Sequence, residues 1–449
     1  MAFTFAFAPM SAENADAAAQ TDISAVYKNV QEYAYNSVKG QPVIGSIGGD
    51  WLLYGLKTAG YSMPSAFIKS YTDSVEAAVK KGYRGVPGVL HDKKYTEYSR
   101  TIFVYATLGE DPTDIAGYNI VEKLYDFDKV VWQGINGPIW ALRALDQAKF
   151  ELTELSEEEM AELGISAYDS ETKTGGVTTR DRLIEYILSY QTPDGGWNVS
   201  ATAETLSSTT ADPDMTGMAM AALAPYRARK DVKAALEKAV KVLSDIQDAD
   251  GGYSTMGSAT SESCAQVICG LTAYGINPNT DSRFKKNGKS VVDALLSYYD
   301  SNVGGFRHVN TASGGYEPVV NQMATEQALY SLAAYKKTVP NKVTGAALVK
   351  SNKTTEKKVN GKTVKSTSYG FKLTWSKANI GTGYQVKVAT DSGFTKNAGS
   401  YTVTGRSATS KIVRGLTHGK TYYVKVRAYK TVNGVKVYGA YSTSKKITL

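Results

Sequence analysis

Residues 191–226 contain a segment whose pattern occurs twice more further along the chain. It reads as a glutamine at a predicted helix end, a Gly-Gly turn closed by an aromatic residue, a polar loop and a helix of small residues. The three helices, DMTGMAMAALAPY, ESCAQVICGLTAY and MATEQALYSLAAY, align with one leucine column and one tyrosine column. A two-helix repeat of roughly 50 to 55 residues predicts helical pairs stacked side by side.

The turn between the two helices has the same residue pattern in the first two copies. A glutamine at a helix end can satisfy orphan backbone groups, paired glycines allow a positive φ, and an aromatic side chain fills the space between helical pairs. The residues expected to serve this structural role are Gln191, Gly195, Gly196, Trp197, Gln247, Gly251, Gly252 and Tyr253.

Helical patterns of two types alternate along the first three quarters of the chain. One type is amphipathic, as in residues 231–246, and is typical of a helix exposed on one side. The other, as in residues 215–223, is apolar all round and is therefore expected to be buried all round. Six amphipathic segments are each followed by an apolar one, at residues 23–38, 65–81, 114–127, 180–190, 231–246 and 290–299. Six outer and six inner helices predict a closed (α/α)6 toroid, with an open helical superhelix as the alternative.

Two segments fall outside this alternation. Residues 150–179 are acidic and polar, and we expect a solvated insertion at the surface of the toroid. Residues 1–20 contain an apolar stretch and then small residues, with an A-x-A pattern at residues 15–17, which predicts the remnant of an export signal. No later stretch approaches 18 apolar residues, so we expect no transmembrane span.

The C-terminal 109 residues differ from the rest in charge and in periodicity. From Asn341 onward there are 21 Lys and Arg against 2 Asp and Glu, a net charge of +19, whereas 30 against 41 upstream give −11. Apolar and polar residues alternate in about seven short segments, such as residues 371–375, 384–388 and 422–427. This pattern predicts a β-sandwich at 340–449, following a helical domain at 21–339.

The β-sandwich segment resembles a fibronectin type III module. The resemblance rests on Trp375 in the second predicted strand and on Leu416 and Tyr422 in the sequence GLTHGKTY. It implies that the Tyr422 hydroxyl forms a hydrogen bond with the nearby backbone.

The helical repeat resembles the QW repeat of the squalene-hopene cyclase and protein prenyltransferase family. Gln191, Gly195 and Trp197 read Q-x3-G-x-W, and the second copy places Tyr253 where the tryptophan stands. The resemblance implies an α/α toroid. Cyclases of this family protonate an alkene with the middle aspartate of D-x-D-D-T, and the chain reads Asp212-Pro213-Asp214-Met215-Thr216, with methionine in place of the last aspartate.

Two interpretations of Asp212 and Asp214 stay open. A catalytic role requires that one of these carboxylic acids be made strongly acidic by a well-placed neighbour. As structural residues, Asp212 is a preferred N-cap, Pro213 a preferred first helical residue, and Asp214 complements the helix dipole.

The sequence favours neither a metal nor an organic cofactor. Protein prenyltransferases bind zinc with an Asp-x-Cys pair and a histidine, which Glu262-Ser263-Cys264 and His308 match only roughly. A thioester domain would have a cysteine and a glutamine three residues apart, and this pair is absent. Phosphate-binding and dinucleotide-binding motifs are absent as well. The basic C-terminal segment lacks a base-reading helix, so nucleic acid is not expected as a partner.

Two classes of function remain, and the first is favoured. A ligand-binding toroid would hold a lipid or isoprenoid, a corrinoid or a glycan in a central cavity, and an enzyme would use Asp212 and Asp214 for acid catalysis of cyclisation or glycan cleavage. The residues expected around the cavity are Trp51, Tyr54, Arg100, Trp140, Arg143, Glu262, His308 and Tyr330. The export signal and the basic module predict an extracellular or cell-wall location in a Gram-positive bacterium, with the module attached to anionic wall polymer.

Overall fold

A computed structural model describes the backbone of residues 12–449 and the side chains of residues 23–449. The predicted export signal at residues 1–20 therefore lies outside the described side chains. The chain divides into two compact units, a helical one formed by Ala25–Tyr335 and a second one that contains Lys336–Leu449. No helix within the described range has the length and apolar character needed to cross a membrane.

The helical unit alternates long helices with loops. Its α-helices, in chain order, are α1 (Ala12–Ser37), α2 (Trp51–Ala59), α3 (Ser65–Lys81), α4 (Thr96–Leu108), α5 (Phe127–Val131), α6 (Asn136–Ala148), α7 (Glu157–Glu162), α8 (Arg180–Ser189), α9 (Pro213–Leu223), α10 (Lys230–Asp245), α11 (Ser261–Tyr274), α12 (Val291–Ser297) and α13 (Gln322–Thr338). Three two-residue β-ladders lie in its loops: β1 (Ser254–Thr255) with β2 (Ser258–Ala259), β3 (Lys285–Lys286) with β4 (Lys289–Ser290), and β5 (Tyr299–Asp300) with β6 (Gly305–Phe306).

The inner helices α2, α4, α6, α9, α11 and α13 form a closed ring. Consecutive members from α2 to α11 pack against each other. The ring continues to α13 through Gln266 Nε2, which donates to Gln327 Oε1 at 2.6 Å. It closes on α2, where Leu329 lies 3.1 Å from the position that a Cβ on Gly55 would occupy. The (α/α)6 toroid is therefore confirmed and the open superhelix is wrong.

Adjacent inner helices approach closely where α9 contacts α11. A Cβ added at Gly217 would lie 2.4 Å from the Gln266 carbonyl oxygen, which is closer than atoms can come. Glycine costs helix stability, so its presence in α9 reflects this contact between backbones.

The third outer position differs from the prediction of one amphipathic helix at residues 114–127. Ala116 and Gly117 have φ of 56° and 86°, so the backbone turns and the helix cannot begin there. A 3-10 helix at Val121–Tyr125 and the short α5 follow. Ile115 and Leu124 are nevertheless fully buried. The spacing of apolar residues therefore predicted correctly that these two are buried, but it did not predict the backbone conformation.

The glutamine of each repeat joins its Gly-Gly turn to the next segment of the outer layer. Gln191 Nε2 donates to the carbonyls of Gly195 and Ala235, both at 2.9 Å. Gln247 Nε2 donates to those of Gly251 at 2.8 Å and Phe284 at 3.1 Å. The predicted positive φ is present at Gly195 and at Gly251.

The aromatic residue of each turn is fully buried between an outer and an inner helix. Trp197 Nε1 donates to the Ile187 carbonyl at 2.6 Å, and the Tyr253 hydroxyl donates to the Leu243 carbonyl at 2.8 Å. The Trp197 backbone N–H also donates to the Thr216 hydroxyl of α9 at 3.0 Å. Each aromatic thus bonds to the preceding outer helix, and Trp197 also bonds to the inner one.

The second unit is a sandwich of two antiparallel sheets. Its strands are β7 (Ala347–Lys350), β8 (Lys353–Val359), β9 (Lys362–Thr374), β10 (Gly383–Ala389), β11 (Gly399–Thr404), β12 (Ser410–Leu416), β13 (Thr421–Val432), β14 (Val435–Tyr438) and β15 (Lys445–Thr448). One sheet has the order β11-β10-β13-β14 with β15 beside β13, and the other has β12-β9-β7 with β8 beside β9. Their inner faces bury Trp375, Tyr384 and Val424.

Details of the sandwich agree with most of the expected strands. The Tyr422 hydroxyl accepts a hydrogen bond from the Thr417 N–H at 2.9 Å, as the resemblance implied. The sequence did not indicate that β8 and the first half of β9 form an exposed, lysine-rich hairpin, because a ribbon with both faces in water leaves no apolar alternation.

We expect limited proteolysis to separate the two units. Cleavage should fall between α13 and β7, where the exposed Asn341, Thr344 and Gly345 lie outside regular elements. Mass spectrometry would locate the cut, and thermal unfolding would show whether each fragment is folded. First cleavage within either unit, or fragments that do not unfold cooperatively, would contradict the boundary.

Trp197→Ala should lower the free energy of unfolding by about 3 to 5 kcal/mol, since it empties a fully buried site. Trp197→Phe should cost less because most of the packing remains, with the hydrogen bond to Ile187 lost. Trp132 is 58% exposed, so Trp132→Ala is the matched control. Equal effects of the two alanine variants in urea unfolding would show that the repeat aromatic does not hold the helical pair.

Candidate functional site

The inner helices direct one stripe of side chains towards the axis of the ring. Residues at spacings of three or four on a helix share a face, as Trp51 with Tyr54, Trp140 with Arg143 and Gln266 with Cys269 do. Trp51, Tyr54, Arg143 and Cys269 remain partly exposed although the ring is closed. Solvent-sized space therefore adjoins the axis, and the expectation that the inner helices are buried all round is wrong for this stripe.

Five aromatic rings meet in this region. Ring centroids are separated by 4.7 Å between Trp51 and Trp140, 4.8 Å between Tyr54 and Phe103, and 5.5 Å between Tyr54 and Tyr330. The structure thus brings together the four aromatic residues predicted for the cavity. Phe103 was missed, because a phenylalanine in an apolar helix carries no sign of the direction in which it points.

Arg143 lies beside these rings. Its guanidinium carbon is 4.3 Å from the centroid of Trp140 and 5.0 Å from that of Phe103. The same cation lowers the pKa of the Cys269 thiol, but burial is the larger effect and raises it to about 12. Cys269 is therefore a neutral thiol in this part of the ring.

Asp212 and Asp214 have different surroundings at the start of α9. Asp212 is the N-cap: Oδ1 accepts from the Met215 N–H at 2.9 Å, and Oδ2 accepts from the Thr255 hydroxyl. Asp214 Oδ1 is buried with no hydrogen-bond partner among the described residues. Burial, followed by the charges of Asp212 and Glu262, raises the pKa of Asp214 to about 7, although a hydrogen bond from Ser263 opposes this.

Glu262 holds the equivalent position at the start of α11. Its Oε2 accepts from the Ser261 hydroxyl at 3.0 Å and lies 2.8 Å from His308 Nδ1, while Oε1 is buried without a partner. His308 packs against Tyr316 with 4.4 Å between ring centroids. The two predicted residues thus form one pair. In the described residues, no group of three or more His, Cys, Asp or Glu is arranged to hold a metal ion.

Glu326 of α13 is a third buried carboxyl that sequence reasoning missed. It is 1% exposed; Oε1 accepts from the Gly48 N–H at 2.9 Å, and Oε2 has no partner among the described residues. Burial is the main cause that raises its pKa to about 8. The sequence feature that could have indicated it is a glutamate in the third repeat helix, at the position where the other two copies have Gly217 and Ala265.

Arg100, which was predicted for the cavity, is neutralised by two carboxylates. Its guanidinium pairs with Asp50 and with Glu97. Asp50 is fully buried and also accepts from the Tyr71 hydroxyl at 2.5 Å. The arginine therefore has its partners within the protein, unlike the three carboxyls that keep an unpaired oxygen.

Fold and site together describe an α/α toroid with buried carboxyls at the start of its inner helices, followed by a β-sandwich. Residues 358–442 match the fibronectin type III domain, which confirms the predicted module. No curated protein sequence matches the chain.

Solved structures similar to the chain include two terpene cyclases. One is an ent-copalyl diphosphate synthase from Streptomyces platensis, at 19% identity and a TM-score of 0.39, covering 64% of this chain and 49% of that one. Another is the type II terpene cyclase MstE from Scytonema, solved with geranylgeranyl dihydroxybenzoate, at 12% identity and a TM-score of 0.42, covering 71% and 99%. The chain spans about half the length of the Streptomyces enzyme. Similarity at this level assigns no activity to this chain.

The raised pKa values of Asp214 and Glu326 predict a stability that falls as pH rises. Both groups bind protons more tightly folded than unfolded, so their contribution is complete below about pH 4 and is lost as pH rises through about 7 and 8. Each group adds a slope of at most about 1.4 kcal/mol per pH unit. Urea unfolding between pH 4 and 9 should therefore show a flatter profile for Asp214→Asn and Glu326→Gln.

Glu237→Gln on the exposed face of α10 is the control, and it should follow the wild-type profile. If all three variants reproduced the wild-type pH dependence, Asp214 and Glu326 would be ordinary ionised carboxylates.

Proposed function

We propose that the helical unit binds a slender, largely apolar molecule of the lipid or isoprenoid class beside the axis of the ring. The observation that carries this proposal is the set of three buried carboxyls, Asp214, Glu262 and Glu326, each with one oxygen that has no partner among the described residues. Asp214 and Glu262 lie in the first turns of α9 and α11, and Glu326 is the fifth residue of α13.

An unpaired buried polar atom is costly, at about 1 to 3 kcal/mol, so three unpaired carboxyl oxygens need a reason. A bound molecule with a hydroxyl or carbonyl group would pair with such an oxygen. Asp214 and Glu326, which hold their protons near neutral pH, can donate as well as accept.

The aromatic rings favour one of the ligand classes that the sequence left open. Five rings so close to one another favour a narrow chain over a wide corrinoid macrocycle as the ligand. A glycan would need many polar partners, whereas the rings offer mainly apolar surface. An acyl or isoprenoid chain with one polar end satisfies both conditions.

Acid catalysis by Asp214 is the second candidate. Its pKa of about 7 supports this role because part of the population still carries the proton at neutral pH. A protonated carboxyl can transfer its proton to an alkene carbon of a bound isoprenoid, leaving a carbocation and the Asp214 carboxylate. Loss of a proton from the cation to a base would return an alkene. Asp212, which is held by Thr255, is placed to influence the acidity of Asp214.

Binding can be tested with three probes of different class: geranylgeraniol, hydroxocobalamin and a chitin oligosaccharide. We expect geranylgeraniol alone to be retained in native mass spectrometry and to quench tryptophan fluorescence, since Trp51 and Trp140 lie beside the proposed site. Asp214→Asn or Glu326→Gln should weaken its binding about tenfold, the equivalent of one lost buried hydrogen bond. Glu237→Gln is the control.

Failure of wild type to bind geranylgeraniol, or equal binding by all variants, would contradict the proposal. Incubation followed by product analysis separates the two candidates: a cyclised product with wild type but not with Asp214→Asn supports acid catalysis. Export, surface location and attachment to wall polymer stay predictions.

A further inference from the structure

A cavity lies outside the ring, between the acidic insertion and the outer helix α8. We call it the outer groove, and its volume is about 1270 Å³. Side chains that line it include Leu152, Leu155, Met160, Tyr168, Tyr186 and Tyr190. The insertion therefore has an apolar inner side, which the expectation of a wholly solvated segment did not include.

The insertion that forms one wall is tied to the outer layer at several points. Both carboxylate oxygens of Asp128 accept from the Gly175 N–H at 2.9 Å. The Tyr125 hydroxyl lies 3.1 Å from Thr153 Oγ1, and the Tyr125 carbonyl accepts from the Thr178 N–H at 2.8 Å. These hydrogen bonds fix the position of the insertion relative to the outer layer, so the groove is present without a bound partner.

Arg182 lies in the groove with one nitrogen unused. Its guanidinium is between the rings of Phe127, at 3.8 Å, and Tyr168, at 4.8 Å. Nη1 donates to the Val177 carbonyl at 2.8 Å, whereas Nη2 is buried without a partner among the described residues. Nη2 is therefore a donor in need of an oxygen acceptor.

Apart from Arg182 and the exposed Lys173, the charges of the groove are negative. Glu154, Glu157 and Glu185 line it and are exposed, and none forms an ion pair with a lysine or arginine of the described chain. Nearby Glu151 and Asp181, which do not line the groove, are paired with Arg180 and Arg229. The unpaired carboxylates thus surround a partly apolar surface.

We propose that the outer groove binds a basic, amphipathic peptide segment of a partner protein. Apolar side chains of the peptide pack against Leu155 and Met160, and its lysines or arginines pair with the three glutamates. A peptide carbonyl accepts the hydrogen bond that Arg182 Nη2 lacks. The volume exceeds the roughly 300 to 1,000 Å³ of ordinary small-molecule pockets, which fits a chain segment.

The test uses the full chain and two fluorescent peptides of nine residues, one alternating leucine with lysine and one alternating leucine with glutamate. Fluorescence anisotropy should show binding of the lysine peptide only, and the binding should weaken as salt is added. Replacing Glu154, Glu157 and Glu185 by glutamine should weaken it about tenfold, since three partly exposed ion pairs are lost.

The matched control replaces Glu158, Glu162 and Glu171 by glutamine, which removes the same charge from the insertion outside the groove lining. Its effect should stay below about twofold. Met160→Gln tests the apolar contact and should also weaken binding. The proposal is overturned if both triple variants lose affinity equally, if the glutamate peptide binds as well as the lysine peptide, or if a chitin oligosaccharide displaces the lysine peptide.

Discussion

The second half of the helical unit depends on the hydrogen-bonded aromatic residues that separate the inner helices α9 and α11 from the outer helix before each of them. A helix pair has apolar surface on both sides of its turn, and a gap there would expose it to water. Trp197 and Tyr253 fill this gap and also bond to a carbonyl ten residues upstream. These contacts position and orient the inner helix that follows. They therefore also determine which of its side chains face the axis.

Burial and the helix dipole act against each other at the start of the inner helices. A helix N-terminus stabilises a carboxylate by about 0.3 to 1 kcal/mol, which would lower its pKa. Removing the group from water costs more, so the pKa of Asp214 in the first turn of α9 rises to about 7. Asp212, which accepts two hydrogen bonds, shows how a carboxylate at the same helix end is satisfied inside the protein.

The grouping of four aromatic residues in the candidate site could be predicted from their spacing. Trp51 and Tyr54 stand three apart in an apolar segment, and a ring of such segments brings their faces together. Glu326 was missed because a single glutamate in a helix is more often a solvated residue than a buried one. Arg100 was assigned to the cavity because its sequence neighbourhood does not reveal Asp50, which lies 50 positions away in the chain.

The toroid and the fibronectin type III module could be predicted from the sequence, since period, alternation and turn residues are local properties that repeat along the chain. The folded chain was needed to show which carboxyls are removed from water, which arginines are paired and where a groove forms beside the insertion. Those outcomes depend on groups far apart in sequence that compete for the same contacts. Asp212 and Asp214, two positions apart on one helix, differ because only one of them reaches partners that satisfy both of its oxygens.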